Sequence, residues 1–283
     1  MNVLEVTGLC KSYPGFALSD VSFSLEKGKI TGFIGRNGAG KSTTLNSLLH
    51  FVHPDAGTIT FFGKNVSEHE LDIKQKVGFV SSGMTYYPKK KIKHITAVTR
   101  SFYRGWDETA YAEYMRAFNL DENKTPSQLS AGMKIKYALT LALSHNAELF
   151  VLDEPTSGLD PVSRDELLDI FMDLCDEGKS VLFSTHITSD LDKCADNIIY
   201  IKNGRILAES ELRAFVGMYK TVSFAEPDIR LTAAQKEHLI GISRSKTGYT
   251  ALIRTGAPEI PGITAAAADL ESVMIHLEKQ PAP

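Results

Sequence analysis

Cysteine is scarce in this chain: Cys10, Cys175 and Cys194 are the only three in 283 residues, and no C-x-x-C spacing joins them. That excludes a disulfide framework and favours reduced thiols over a metal cluster. Long apolar runs are missing too. A membrane-spanning helix needs roughly 20 apolar residues, whereas the most apolar stretch, 137–143, is short and lies in an amphipathic pattern. Met1-Asn2-Val3-Leu4-Glu5 has neither the basic region nor the apolar core of a secretory leader, so a cytoplasmic chain is expected. Neither sign of charge dominates: 31 basic residues face 34 acidic ones, for a net charge of -3. No basic footprint for nucleic acid follows, and none is expected as a partner. No internal repeat or low-complexity tract is visible. What the chain does have is apolar residues, 43% of the total. These suffice for one large domain with a small appendage and argue against disorder.

Short strands edged by glycine are predicted over 3–7, 21–25, 29–34 and 58–62, with a helix from Lys41 to about Leu49. Another strand is predicted over 77–80. From about 83 to 147 the chain suits helices, with Tyr111, Tyr114, Met115 and Phe118 at helical spacing. The runs 148–152 and 180–184 read as strands covered on both faces. Between them Asp160 and Pro161 open a helix that Gly178 ends. Asn203-Gly204 marks a hairpin between 198–201 and 205–208. After about 216 the composition shifts to weak strands, then to a helix carrying Leu270, Val273, Met274 and Leu277 on one face.

Gly35-Arg36-Asn37-Gly38-Ala39-Gly40-Lys41-Ser42 has the spacing of a phosphate-binding loop, set between a predicted strand and a predicted helix. Its glycines let the backbone wrap closely round phosphates. The N–H groups from Asn37 through Gly38, Ala39, Gly40, Lys41, Ser42 and Thr43 would cradle them at the helix N-terminus. Lys41 is placed to reach the β/γ-phosphates and Ser42 to ligate Mg²⁺. The strand over 148–152 ends in Asp153-Glu154. Behind such a loop, Asp153 is placed to hold Mg²⁺ directly or through water, and Glu154 to orient or deprotonate the attacking water. Ser130 can cap the helix that follows it, and its hydroxyl, the Gly132 N–H and the helix N-terminus form a second phosphate-binding surface.

Leu129-Ser130-Ala131-Gly132-Met133 resembles the signature motif of ATP-binding-cassette proteins. Ser157-Gly158-Leu159-Asp160 is similar to that family's D-loop, Ser184-Thr185-His186 to its switch-histidine strand end, and Tyr13 to its adenine-stacking aromatic. The resemblance covers about residues 3–210, in the family's order. It implies an α/β fold: a P-loop NTPase core with an antiparallel β-subdomain and a helical subdomain. It also implies ATP and Mg²⁺ as ligands, and His186 bonded to the γ-phosphate and the attacking water. Ser130, Gly132 and Asp160 would face the nucleotide of a second ATP-binding subunit, a homodimer holding two ATP molecules in a sandwich. An aromatic at position 13 also suits an ordinary core.

One departure stands out. After the strand over 77–80 the family carries Gln or Glu reaching Mg²⁺ and water; here Ser82 is the match, short enough to contact the metal only through water. His50 and His53 read as an exposed pair. Lys89-Lys90-Lys91 and Lys93 read either as a solvated face or as a patch toward the membrane partner or anionic lipid. The stretches 102–107, 142–147 and 183–191 resemble bacterial exporter ATPases of the ABC-2 type, the group with phenol-soluble-modulin peptide exporters nearest. The expectation is therefore a nucleotide-binding domain over 1–216 and a small α+β accessory domain over 217–283. It would hydrolyse ATP at the cytoplasmic face of the membrane for a polytopic permease exporting peptides or drugs. An importer ATPase and a soluble non-transport cassette ATPase are the alternatives.

Overall fold

A computed structural model of the protein describes residues 1–81, 87–225, 232–246, 248–258, 260 and 263–280. The chain divides into two compact units, Met1–Glu209 and Ser210–Pro283.

The first unit holds two sheets. Strands β1 (Asn2–Tyr13), β2 (Phe16–Glu26), β4 (Ala56–Phe61) and β5 (Lys64–Asn65) form an antiparallel sheet in the order β2-β1-β4-β5. β1 and β2 run well beyond the predicted 3–7 and 21–25. Register shifts at Asn2/Leu4, Val6/Leu9 and Leu9/Lys11 break the period-two alternation by which a strand is recognised.

The second sheet runs β10-β9-β3-β8-β7-β6. It is built from β3 (Ile30–Ile34), β6 (Val77–Ser81), β7 (Leu149–Asp153), β8 (Ser180–Thr185), β9 (Asn197–Lys202) and β10 (Arg205–Glu211). Pairing from β9 through β3, β8 and β7 to β6 is parallel. Every residue of β3, β7 and β8 is buried, as a sheet covered on both faces requires. One apolar core joins the two sheets and helix α1 (Lys41–Leu48), with Leu4, Phe23, Phe33, Leu45, Phe61, Val151 and Leu182 in it. Helix α2 (Val66–Lys74) follows β5.

Between β6 and β7 lie α3 (Ile92–Arg100), α4 (Glu108–Ala117) and α5 (Ala131–Ser144), the described part of the helical insertion. They pack round Ile92, Ile95, Tyr111, Met115, Leu120, Tyr137 and Leu141. Inside that core the Thr96 hydroxyl meets the Tyr137 hydroxyl at 2.9 Å and that of Tyr111 at 3.1 Å. His145 ties the insertion back to the end of α2. Its Nδ1 lies 3.1 Å from the Gln75 carbonyl, and its ring stacks on Tyr103 at 3.7 Å between centroids. Burial pulls its pKa down to about 4.

Helix α6 (Pro161–Asp176) and helix α7 (Thr188–Cys194) flank β8 in sequence. Asn203 and Gly204, at φ 49° and 74°, make the expected hairpin turn from β9 to β10. Gly204 admits no side chain, since a Cβ there would lie 1.8 Å from the Ala17 carbonyl oxygen. Its own N–H donates to Ala39 O and its carbonyl accepts from Ser19 N–H, both at 2.9 Å, so the turn braces the glycine-rich loop against β2.

The second unit is a sheet in the order β12-β13-β11-β14. It comprises α8 (Leu212–Gly217), β11 (Tyr219–Phe224), α9 (Ala233–Glu237), β12 (Ile240–Ser245), β13 (Gly248–Arg254), β14 (Thr264–Ala267) and α10 (Leu270–Lys279). The division falls between Glu209 and Ser210, ahead of the boundary expected after 216, because α8 packs on β11. Leu270, Val273 and Met274 of α10 are buried as expected. His276 is buried with them, its Nδ1 2.5 Å from the Gly241 carbonyl, and Leu277 is only partly covered.

Candidate active site

Parallel pairing decides which loops meet. Ile34 at the end of β3 lies beside Thr185 of β8, Asp153 of β7 beside Ser184, and Ser81 of β6 beside Asp153. The glycine-rich loop, the Asp153-Glu154 step and His186 therefore leave the sheet at the same edge, where open α/β sheets hold their ligands. An open cleft of about 640 Å³ lies there. Asn37, Gly38, Gly40, Lys41, Ser42, Thr43, Glu154 and His186 line it, joined by Gly15, Phe16, Arg36 and Ser157.

The loop is shaped by its glycines. Gly40 caps α1 in the left-handed region at φ 114°, and a Cβ there would meet Leu18 Cδ2 at 2.7 Å. Ala39 is buried beneath the loop, outside the cleft lining. Lys41 is 5% exposed. Its ammonium donates to Gly35 O at 2.8 Å and pairs with Glu154 Oε1 at 3.1 Å.

Glu154 sits at φ 51°, a left-handed conformation rare outside glycine. That turn aims its carboxylate across the cleft: Oε1 meets Lys41, and Oε2 meets His186 Nδ1 at 2.8 Å. Ser184 holds the turn in place. Its hydroxyl accepts the Glu154 N–H at 2.9 Å and donates to Asp153 Oδ1 at 2.7 Å. Asp153 is buried behind Glu154. Its carboxylate and the Ser42 hydroxyl are hard oxygen donors suited to Mg²⁺, which favours a few such ligands alongside phosphate oxygens over an all-protein cage. Among the described residues no cluster of three His, Cys, Asp or Glu forms such a cage.

Other expected residues lie apart from this lining. Tyr13 is half-exposed at the tip of the β1–β2 hairpin, paired across it with Phe16. Phe16 itself lines the cleft, and its position was not evident from sequence, where it reads only as the first residue of a strand. Ser130 caps α5, its hydroxyl accepting the Met133 N–H at 3.2 Å. Gly132 faces Leu159 and Ser163, where an added Cβ would make ordinary contacts. The Asp160 carboxylate caps α6, accepting from the N–H groups of Val162 and Ser163 and from the Ser163 hydroxyl, which with those bonds holds its pKa down. Ser82 lies outside the described residues.

A parallel sheet that brings a phosphate loop, a strand-end acid pair and a histidine to one cleft defines a P-loop nucleoside triphosphatase. The family described as "ABC transporter" matches residues 18–157. The chain is 33% identical over 213 residues to the lantibiotic transport ATP-binding protein SrtF of Streptococcus pyogenes, covering 74% of this chain and 91% of that protein. It is 33% identical over 204 residues to the Nod factor export ATP-binding protein I of Burkholderia lata, covering 70% and 67%. A solved ATP-binding subunit of an ABC transporter superposes with a TM-score of 0.68 at 28% identity, covering 75% of this chain and 93% of that one. The chain belongs to the ATP-binding subunits of ABC transporters; its substrate is ATP, used with Mg²⁺, and hydrolysis is coupled to transport. Among the described residues no helix is long and apolar enough to cross a membrane.

Proposed function

We propose that this chain powers an exporter of peptides or drugs from the cytoplasmic face of the membrane. Within it, Lys41, Glu154 and His186 carry the chemistry. The observation that bears most weight is the contact of Glu154 with both Lys41 and His186 at one cleft edge. The Glu154 carboxylate is engaged by both partners, one on each oxygen. Phosphates entering the loop compete for the Lys41 ammonium, since a phosphate anion is a strong partner for it. Glu154 is then released to take a proton from water, with His186 holding its other oxygen. The Asn37–Thr43 backbone cradles the phosphates, and Tyr13 offers a face to adenine from the hairpin tip. Ser42 and Asp153 would hold Mg²⁺, Ser82 through water; the ion supplies charge neutralisation at the phosphate oxygens.

Ser130 and Gly132 stand at an exposed helix start outside the cleft that holds Lys41. That supports a sandwich in which they, with Asp160, face the nucleotide of a second copy. A groove of about 880 Å³ lined by Tyr87, Pro88, Lys90, His94, Ile95 and Val98 supports docking of a polytopic permease on the helical insertion. Export is supported by likeness to proteins named for Nod factor export and lantibiotic transport.

Glu154→Gln tests the chemistry. It is expected to keep ATP binding and to slow hydrolysis by about two orders of magnitude or more. In light scattering with ATP it should shift the chain from monomer to dimer. Hydrolysis at the wild-type rate sinks the assignment of Glu154, and persistent monomers, with and without the permease, sink the sandwich. Substrate movement out of inverted vesicles rather than into them sinks the export reading.

A further inference from the structure

A buried carboxylate outside the cleft lining lies where three functional segments meet. Asp190, in the first turn of α7, is 1% exposed. Its Oδ2 accepts a 2.7 Å hydrogen bond from the Thr156 hydroxyl, also fully buried, two residues beyond Glu154. Its Oδ1 faces Arg164 Nε of α6 at 3.8 Å, and neither atom has a hydrogen-bond partner. Its backbone N–H donates to the carbonyl of Ile187, the residue after His186, at 3.3 Å. The Ile187 N–H in turn donates to the Thr185 hydroxyl at 3.0 Å.

Burying a charge beside an incompletely made ion pair is a poor way to stabilise a fold. What the arrangement does supply is position: one residue links three segments, its side chain meeting the turn after Glu154 and the start of α6 and its backbone N–H meeting the loop bearing His186. We propose that Asp190 is a positioning residue for hydrolysis, holding the His186 loop against the Glu154 turn so that the contact of those two side chains is kept. The Asp190–Arg164 pair is about 1 Å short of a charge-assisted hydrogen bond, so a small shift of α6 toward α7 completes it. This rests on the roles given above to Glu154 and His186.

The test uses the full chain and Mg-ATP. Asp190→Asn preserves shape and an acceptor for Thr156 but removes the charge; Thr156→Val removes the donor from the other side. Each is expected to lower kcat about tenfold, the scale of a slightly misplaced catalytic group, while KM and ATP affinity stay within about twofold; Asp190→Asn should keep the wild-type melting temperature, whereas Thr156→Val, which leaves the buried carboxylate without its donor, should lower it. In a His186→Ala background, Asp190→Asn should cost nothing further, because the loop it positions no longer carries the histidine. The proposal is overturned if both single variants keep wild-type kcat. It is equally overturned if the loss in Asp190→Asn appears in melting temperature or failure to fold, or if Asp190→Asn lowers kcat as much without His186 as with it. Should His186→Ala itself hydrolyse ATP normally, the reading of the site falls and this inference with it; a damaging His186→Ala with additive Asp190→Asn sinks the inference alone.

Discussion

The sheet running β10-β9-β3-β8-β7-β6 and the sheet running β12-β13-β11-β14 are both backed by helices, yet the cleft with its charged side chains belongs to the first. Strand direction accounts for this. In the first sheet β3, β7 and β8 run parallel, so the loops that follow them open on one edge and their polar residues converge. In the second, every neighbouring pair is antiparallel, with β11 and β12 running one way and β13 and β14 the other, so the segments that follow its strands are divided between the two ends of the sheet. Parallel strands require long crossovers. Those crossovers are where α5, α6 and the signature segment are housed.

The largest effect that would sharpen this contrast comes from the cleft. Lys41→Ala removes a buried ammonium that holds Gly35 O and Glu154, and it is expected to weaken ATP binding by about a hundredfold, or roughly 3 kcal/mol. Equilibrium titration with ATP measures it; an unchanged affinity would separate the cleft from nucleotide binding.

A pair of glycine substitutions then sets the two units against each other. Gly204→Ala and Gly241→Ala each drive a Cβ into a backbone oxygen, Ala17 O at 1.8 Å and His276 O at 1.9 Å, at positive φ. Each should destabilise its own unit by roughly 3 to 4 kcal/mol. Because Gly204 also bonds Ala39 O, its variant should lose ATP affinity as well, whereas Gly241→Ala should hydrolyse ATP at the wild-type rate below its melting temperature. Calorimetry with a parallel ATPase assay reads both. Loss of hydrolysis in Gly241→Ala would break the comparison.

A smaller effect concerns pH. His145 has its pKa lowered by burial from 6.5 to about 4, so the folded chain keeps it neutral where the unfolded chain protonates it. The folded pKa is the lower one. Its stabilising contribution is therefore complete above pH 6.5 and is lost as pH falls toward 4, by roughly 2 to 3 kcal/mol. Denaturant midpoints of wild type and His145→Gln at pH 7.5 and 5 check this: the wild type should lose more stability on acidification than the variant. Equal losses would mean that His145 is not the acid-sensitive group.

How much could be read beforehand differs by residue. The loop from Gly35 to Ser42 was legible because its demands are local: glycine where the backbone is left-handed, and a lysine and serine one step into a helix. The Ser130 and Asp160 caps were legible for the same reason. Phe16 was not, since only folding of the β1–β2 hairpin over Gly40 makes it a wall of the cleft. Asp190 was not either, as an acid near a helix start is usually solvated; its burial depends on Thr156 and Arg164 arriving from elsewhere.

By itself the sequence determined the chemistry available, a phosphate loop, a strand-end acid pair and a histidine in family order, because each needs only a few adjacent residues. Tertiary structure alone decided that Glu154 contacts both Lys41 and His186, that Gly204 props up the loop, and that Ser130 lies outside the cleft containing Lys41. Those relations join residues far apart in the chain. Their distances follow from the register of β3 against β8 and of β8 against β7, which no local pattern encodes.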